Sequence, residues 1–189
     1  MDRPQSLLFT IIYLVFYVVL IFFILKKEKI LSIPKITSIL KRMLAAVLFF
    51  LILLTAITVL TKLFIPLDTT SKIPKNQVIL TSILKKNILS KILMIMYIAI
   101  FGPIIEEFCF RYLLIPLNSS KLYTVIGSII STIIFTTLHL IGDFSNCSAL
   151  INYTVISVGL VATYLLTRDI AQNTINHIFW NSILLIING

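Results

Sequence analysis

The sequence predicts an all-α protein: a polytopic transmembrane bundle of about six spans in one integral-membrane domain. Three observations predict it. Of its 189 residues 59% are hydrophobic and only 12% charged, and the mean hydropathy is +1.07, more apolar surface than a soluble domain of this size can bury. The apolar residues fall into charge-free runs near the ~20 residues that span hydrocarbon. The basic residues, net charge +9, collect mainly between those runs, where they meet lipid headgroups and set topology. That placement argues against nucleic acid as the basic surface's partner.

In chain order, Ser6 to Leu25 is the first span. It is longer than a signal-peptide core and lacks a small-residue exit, so it is expected to be retained. Lys26, Lys27, Lys29, Lys35, Lys41 and Arg42 crowd the next connection, and Met43 to Ile65 makes the second span. Asp68 to Lys72 with Pro74 reads as a surface loop. Val78 to Ser90 puts Leu80, Ile83, Leu84 and Ile88 on one helical face and Thr81, Ser82, Lys85 and Lys86 on the other. Two readings stay open for it: a helix in the headgroup plane, or an extension of the next span. Residues 1–90 thus form an N-terminal part, and 91–189 carry the chemistry.

Ile92 to about Pro116 is the third span. Its Gly102-Pro103 step should open the helix one turn before Glu106, since proline has no N–H to give. Leu122 to Leu140 follows, with Gly127, Ser128, Ser131 and Thr132 small enough for close packing. Gly142 to Asn146 makes a polar loop, Leu150 to Thr167 the fifth span and Thr174 to Ile187 the sixth. Cys109 and Cys147 make neither a disulfide framework nor a metal knot.

The informative residues are those that spans should not contain: Glu106, Glu107, Arg111, His139, His177 and Asn181. Ionised groups at membrane depth cost at least ~2.5–3.5 kcal/mol each on insertion scales. Glu107 and Arg111 are four apart and share a helical face, while Glu106 points about 100° away from Glu107. Arg111 can therefore hold one carboxylate, its guanidinium fork gripping it on two prongs, and leave the other free. His177 and Asn181 also share a face. A lone pair of this kind would only dock helices, and a lone histidine is usually a packing residue. Two carboxylates, two imidazoles and an amide over three spans are what water activation needs: a base, groups that bind a metal or polarise a carbonyl, and an oxyanion donor. No serine stands in a nucleophile motif, and Cys109, beside two carboxylates, is poorly placed to act as a thiolate.

Glu106-Glu107-x-x-x-Arg111, Phe135-x-x-x-His139 and His177-x-x-x-Asn181 resemble the motifs of the CPBP (Abi) intramembrane proteases. That family includes type II CAAX prenyl endopeptidases and bacterial proteins linked to bacteriocin self-immunity and peptide processing. The resemblance runs from Lys91 onward. It implies a membrane-embedded endopeptidase, a peptide hydrolase acting on a membrane-associated protein or peptide. In it Glu106 activates water, assisted by His139 and His177; Glu107 and Arg111 organise the site, and Asn181 supports the oxyanion. CAAX processing presupposes prenylated proteins, so that substrate does not carry over with the motifs. Two other classes compete: a non-catalytic immunity or regulatory protein on the same scaffold, and a proton or cation carrier, since buried Glu and His also make relays.

A divalent metal, zinc by donor type, is open: Glu106, His139 and His177 could hold it with one position left for water. Against it, Glu106 cannot be both ligand and base. Glu107, paired with Arg111, is the poorer substitute, and no His-Glu-x-x-His helix is present. The reading favoured here makes Glu106 the base, with a metal allowed but not demanded. Basic residues divide almost evenly between the two sides, with a lean to Lys26–Arg42, Lys121 and Arg168 as cytoplasmic. That puts both termini and the Cys147 loop outside. The Lys-, Ile- and Asn-rich usage suggests a bacterial cell membrane.

Overall fold

A computed structural model describes residues 36–65 and 88–188. Five helical rods account for almost all of them: α1 (Ile36–Phe64), α2 (residues 88–112), α3 (Lys121–His139), α4 (Cys147–Thr167) and α5 (Ile170–Asn188). No strand occurs among the described residues. Four stretches are long and apolar enough to cross a membrane: Ser38–Phe64, Lys91–Tyr112, Lys121–His139 and Cys147–Thr167. The helix α5 has the length, but its Gln, Asn and His residues keep it out of that set. The expected first span, Ser6 to Leu25, and the amphipathic stretch up to residue 87 lie outside the described residues; Ile88 to Ser90 belong to α2.

The helices form for the reasons the sequence gives, with corrections at their ends. Helix α1 starts at Ile36 rather than Met43, so Lys41 and Arg42 lie in the helix and not in a connection. Helix α5 starts at Ile170 rather than Thr174 because Asp169 caps it, its Oδ1 accepting the Ala171 and Gln172 N–H groups at 2.9 and 3.2 Å. Asn146 does the same for α4 through the Ala149 N–H, at 3.0 Å. Helix α4 stops at Arg168, whose φ of 52° puts it in the left-handed region that ends helices.

Helices α1, α3 and α4 leave much of their surface apolar and exposed, as lipid-facing surfaces are, whereas α5, among its described residues, is exposed only at Ile186 and Ile187. Ala46, Phe49 and Leu53 are the buried face of α1, and Phe49 and Leu53 meet Ile156 and Leu160 of α4, Phe135 of α3 and Trp180 of α5 in one core. Helix α3 comes so close to the chain leaving α2 that a Cβ at Gly127 would lie 2.2 Å from the Leu114 carbonyl oxygen, so glycine is required there. Arg42 Nη2 donates to Asp169 Oδ2 at 2.7 Å, and Arg168 Nη2 donates to the Leu117 carbonyl at 2.8 Å. Those contacts gather the start of α1, the 113–120 connection and the α4–α5 junction at one end of the bundle.

Candidate active site

The site is built on a helix that changes pitch twice. Within α2, Ile88–Met96 is α-helical, Tyr97–Phe101 is a π turn, Gly102–Glu107 is α-helical and Phe108–Tyr112 is a second π turn. A π turn inserts an extra residue, so the faces before and after it no longer register, and such turns cluster at functional sites. The two carboxylates stand between them. The first break follows from Gly102-Pro103: the Gly102 N–H reaches back to the Tyr97 carbonyl, and Pro103 offers no N–H at all.

Glu107 is fully buried and surrounded by donors. Its Oε1 is 3.2 Å from Arg111 Nη1 and accepts from His177 Nδ1 at 2.8 Å, and its Oε2 accepts from Asn173 Nδ2. Arg111, also fully buried, does not place both prongs on the carboxylate as the sequence suggests. Its Nη2 donates to Ser157 Oγ at 3.2 Å, and its guanidinium lies 4.6 Å from the centre of the Phe135 ring. The fork is shared between α2 and α4 because Ser157 faces it from across the bundle.

Glu106 is different. Its side chain is 27% exposed, and its Oε2 lies 3.7 Å from His177 Nε2 and 3.9 Å from His139 Nε2, too far for a hydrogen bond. That Oε2 is itself buried and has no hydrogen-bond partner. The sequence separates the two carboxylates by a third of a turn, yet both meet one imidazole, because His177 enters between them with a nitrogen toward each.

The tautomers follow from the partners. His139 Nδ1 lies 2.8 Å from the Phe135 carbonyl, which can only accept, so Nδ1 carries the proton. His177 Nδ1 faces the Arg-paired Glu107 carboxylate and donates to it. In the neutral rings both Nε2 atoms therefore present lone pairs toward Glu106. Phe135 supports this arrangement by stacking on His139 with centroids 4.3 Å apart, and its ring also meets Arg111 and, at 5.9 Å between centroids, His177. Tyr153 of α4 lies 4.8 Å from the His139 ring, centroid to centroid.

The structure thus brings Glu106, Glu107, Arg111, His139 and His177 together. Asn181 lies one turn beyond His177, and its Nδ2 donates to the Ile98 carbonyl at 3.0 Å. Sequence reasoning missed Asn173 and Ser157. The signal for Asn173 was present: Asn173, His177 and Asn181 recur every fourth residue, but the helix was started one residue after the first of them. Nothing in the sequence singles out Ser157 among the serines of the spans.

The residues match in type what a divalent cation takes, and both imidazoles have the backing hydrogen bond that metal-bound histidines have. The spacing is looser. Bonds of ~2.0–2.2 Å at tetrahedral angles put ligands about 3.3–3.5 Å apart, against 3.7 and 3.9 Å here. Among the described residues no trio of His, Cys, Asp or Glu closes tightly enough to hold a metal.

A family model, type II CAAX prenyl endopeptidase Rce1-like, matches residues 88–183, just over half of the chain. The chain belongs to this family. The match covers α2 from its first described residue and takes in the carboxylates, both histidines and Asn181, so it covers the whole polar centre. Membership in a CAAX-type endopeptidase family, on four apolar helices, makes the chain an integral-membrane protein of a peptidase family. No curated protein and no solved structure matches the chain.

Proposed function

We propose that the chain is an intramembrane endopeptidase that hydrolyses a peptide bond of a membrane-associated protein or peptide, with Glu106 as the base. The observation that carries this reading is the convergence of the buried Glu106 Oε2, which has no hydrogen-bond partner, with the Nε2 atoms of two histidines whose other ring nitrogens are already engaged. Three acceptors pointed at one another are mutually repulsive unless a donor lies between them. Water, with two protons and a lone pair left for attack, is such a donor.

In this reading the water gives one proton to Glu106 while its oxygen bonds to the scissile carbonyl carbon, and the carbonyl electron pair moves onto its oxygen. As the carbon–nitrogen bond breaks, the proton returns from Glu106 to the leaving nitrogen, yielding a carboxyl end and an amine. His177 is backed by the buried Glu107, as the imidazole of a serine-protease triad is backed by aspartate. That backing fixes the ring's orientation and tautomer beside Glu106. His139 Nε2 accepts a hydrogen bond from the water's second O–H and keeps the oxygen lone pair aimed. Glu107 and Arg111 neutralise each other and hold His177 in place.

Should a divalent cation bind, Glu106, His139 and His177 would hold it, and it would polarise the carbonyl; the spacing gives no reason to route the reaction through it. The test uses purified protein added to membranes from cells lacking it, with new peptide termini read by mass spectrometry. Wild-type protein should generate termini that Glu106→Gln does not, and exhaustive chelation should leave most of that activity. Termini generated equally by Glu106→Gln would remove Glu106 as the base, and no new termini with either protein would favour a binding or immunity role. Complete loss on chelation, restored by zinc or cobalt, would make the two histidines metal ligands.

A further inference from the structure

We propose that Asn181 is a positioning residue that supplies the hydrogen bond Pro103 cannot make, and so fixes the angle at which α2 presents Glu106. In the Tyr97–Phe101 turn the Gly102 N–H bonds to the carbonyl five residues back, that of Tyr97. The next carbonyl in this register is that of Ile98, and its partner would be the N–H of residue 103, a proline. An unpaired carbonyl is costly inside a membrane span. Asn181 Nδ2 reaches it from α5 at 3.0 Å.

The break lies against the catalytic carboxylate. A Cβ at Gly102 would lie only 3.1 Å from the Tyr97 carbonyl, so the glycine fits the π turn, and its 3.7 Å distance from Glu106 Oε1 puts the break beside that carboxylate. Asn181 and His177 are four apart on one face of α5. Helix α5 therefore holds α2 at two levels, through Asn181 at the break and through His177 at Glu107. Two fixed points determine a tilt where one would leave a pivot. The gap between Glu106 and His177 Nε2 follows from that tilt, and misplacement by ~1 Å can cost 10²-fold in rate.

This assignment rests on the endopeptidase reading for its effect on rate, but the hydrogen bond itself can be tested without any activity. Labelling with 1-13C isoleucine and 15N alanine marks two peptide bonds, Ile98–Ala99 and Ile170–Ala171, because no other Ile-Ala pair occurs in the chain. In Asn181→Ala the Ile98 carbonyl resonance should move while that of Ile170 stays; an unmoved Ile98 resonance would overturn the proposal. On the rate side, Asn181→Ala should slow the appearance of Glu106-dependent peptides in cell membranes by about 10²-fold. Pro103→Ala restores an N–H at the break, so adding it should return most of that rate. If Pro103→Ala alone is as active as wild type yet the double variant stays as slow as Asn181→Ala, Asn181 acts on the reacting atoms and the proposal fails. If Pro103→Ala is itself impaired, the resonance decides. Should wild-type protein add no cleavage at all, the endopeptidase reading fails, while the Ile98 resonance still judges the hydrogen bond.

Discussion

Glutamine at position 107 and glutamine at position 106 should behave as different kinds of damage, although the residues are neighbours. Every polar group around Glu107 is a donor: Arg111 Nη1 at 3.2 Å, His177 Nδ1 at 2.8 Å and Asn173 Nδ2. A glutamine there keeps one acceptor, turns an NH2 group toward donors, and strands the charge of Arg111 with 0% exposure. Breaking a buried ion pair from one side costs about 3–5 kcal/mol. Glu106 makes no hydrogen bond through Oε2 and is 27% exposed, so its replacement should be nearly neutral for stability, within ~0.5 kcal/mol. For a chain this long each kcal/mol moves the unfolding midpoint by ~2–4 °C. Glu107→Gln should therefore lower it by ~6–20 °C, and Glu106→Gln by no more than ~2 °C. Trp180 is the sole tryptophan and is buried in the core joining α1, α3, α4 and α5, so its fluorescence in detergent reports the transition. Equal midpoints for the two variants would refute the division of labour between the carboxylates.

Gly127→Leu should sharply cut folded yield, because its Cβ alone would meet backbone at 2.2 Å; Gly159→Ala, which meets the tip of Leu53 at 2.5 Å, should cost much less, and gel filtration compares them. Phe135→Leu keeps the carbonyl that holds His139 but loses the ring contacts with His139 and Arg111, so cleavage should fall at least about tenfold while His139→Ala abolishes it. An unchanged rate in Phe135→Leu would make the stacking incidental. Cys147 is exposed at the start of α4, and the orientation favoured by the charge distribution makes it reactive to an impermeant maleimide in intact cells; labelling only after lysis would reverse that orientation.

How far the sequence could be read depended on which physical signal each feature leaves. Hydropathy made the helices legible, since lipid on most faces requires apolar residues on most faces. It failed at helix starts, where Arg42 and Asp169 are charged yet structured, because they pair with each other at 2.7 Å. The number of crossings is less well read: four described helices qualify by length and composition, and α5 does not because its polar stripe faces the site. Glu106, Glu107, Arg111 and the histidines stood out as charge and imidazole where hydrocarbon was expected. Asn173 did not, because a helix start expected at Thr174, four residues after the actual start at Ile170, left Asn173 outside the helix and hid its spacing to His177. The π turns left no signal beyond Gly102-Pro103, and the second, Phe108–Tyr112, shifts the register between Glu107 and Arg111 on which their pairing rests.

The account turns on Glu106 as the water-activating base, and quantitative profiling of membrane-peptide termini tests it most directly. Cells carrying wild-type protein, Glu106→Gln at equal abundance, or no protein would be compared in one experiment. The account predicts a set of new termini present only with wild type, and a Glu106→Gln profile that coincides with that of cells lacking the protein. A Glu106→Gln profile that coincides with wild type would contradict it.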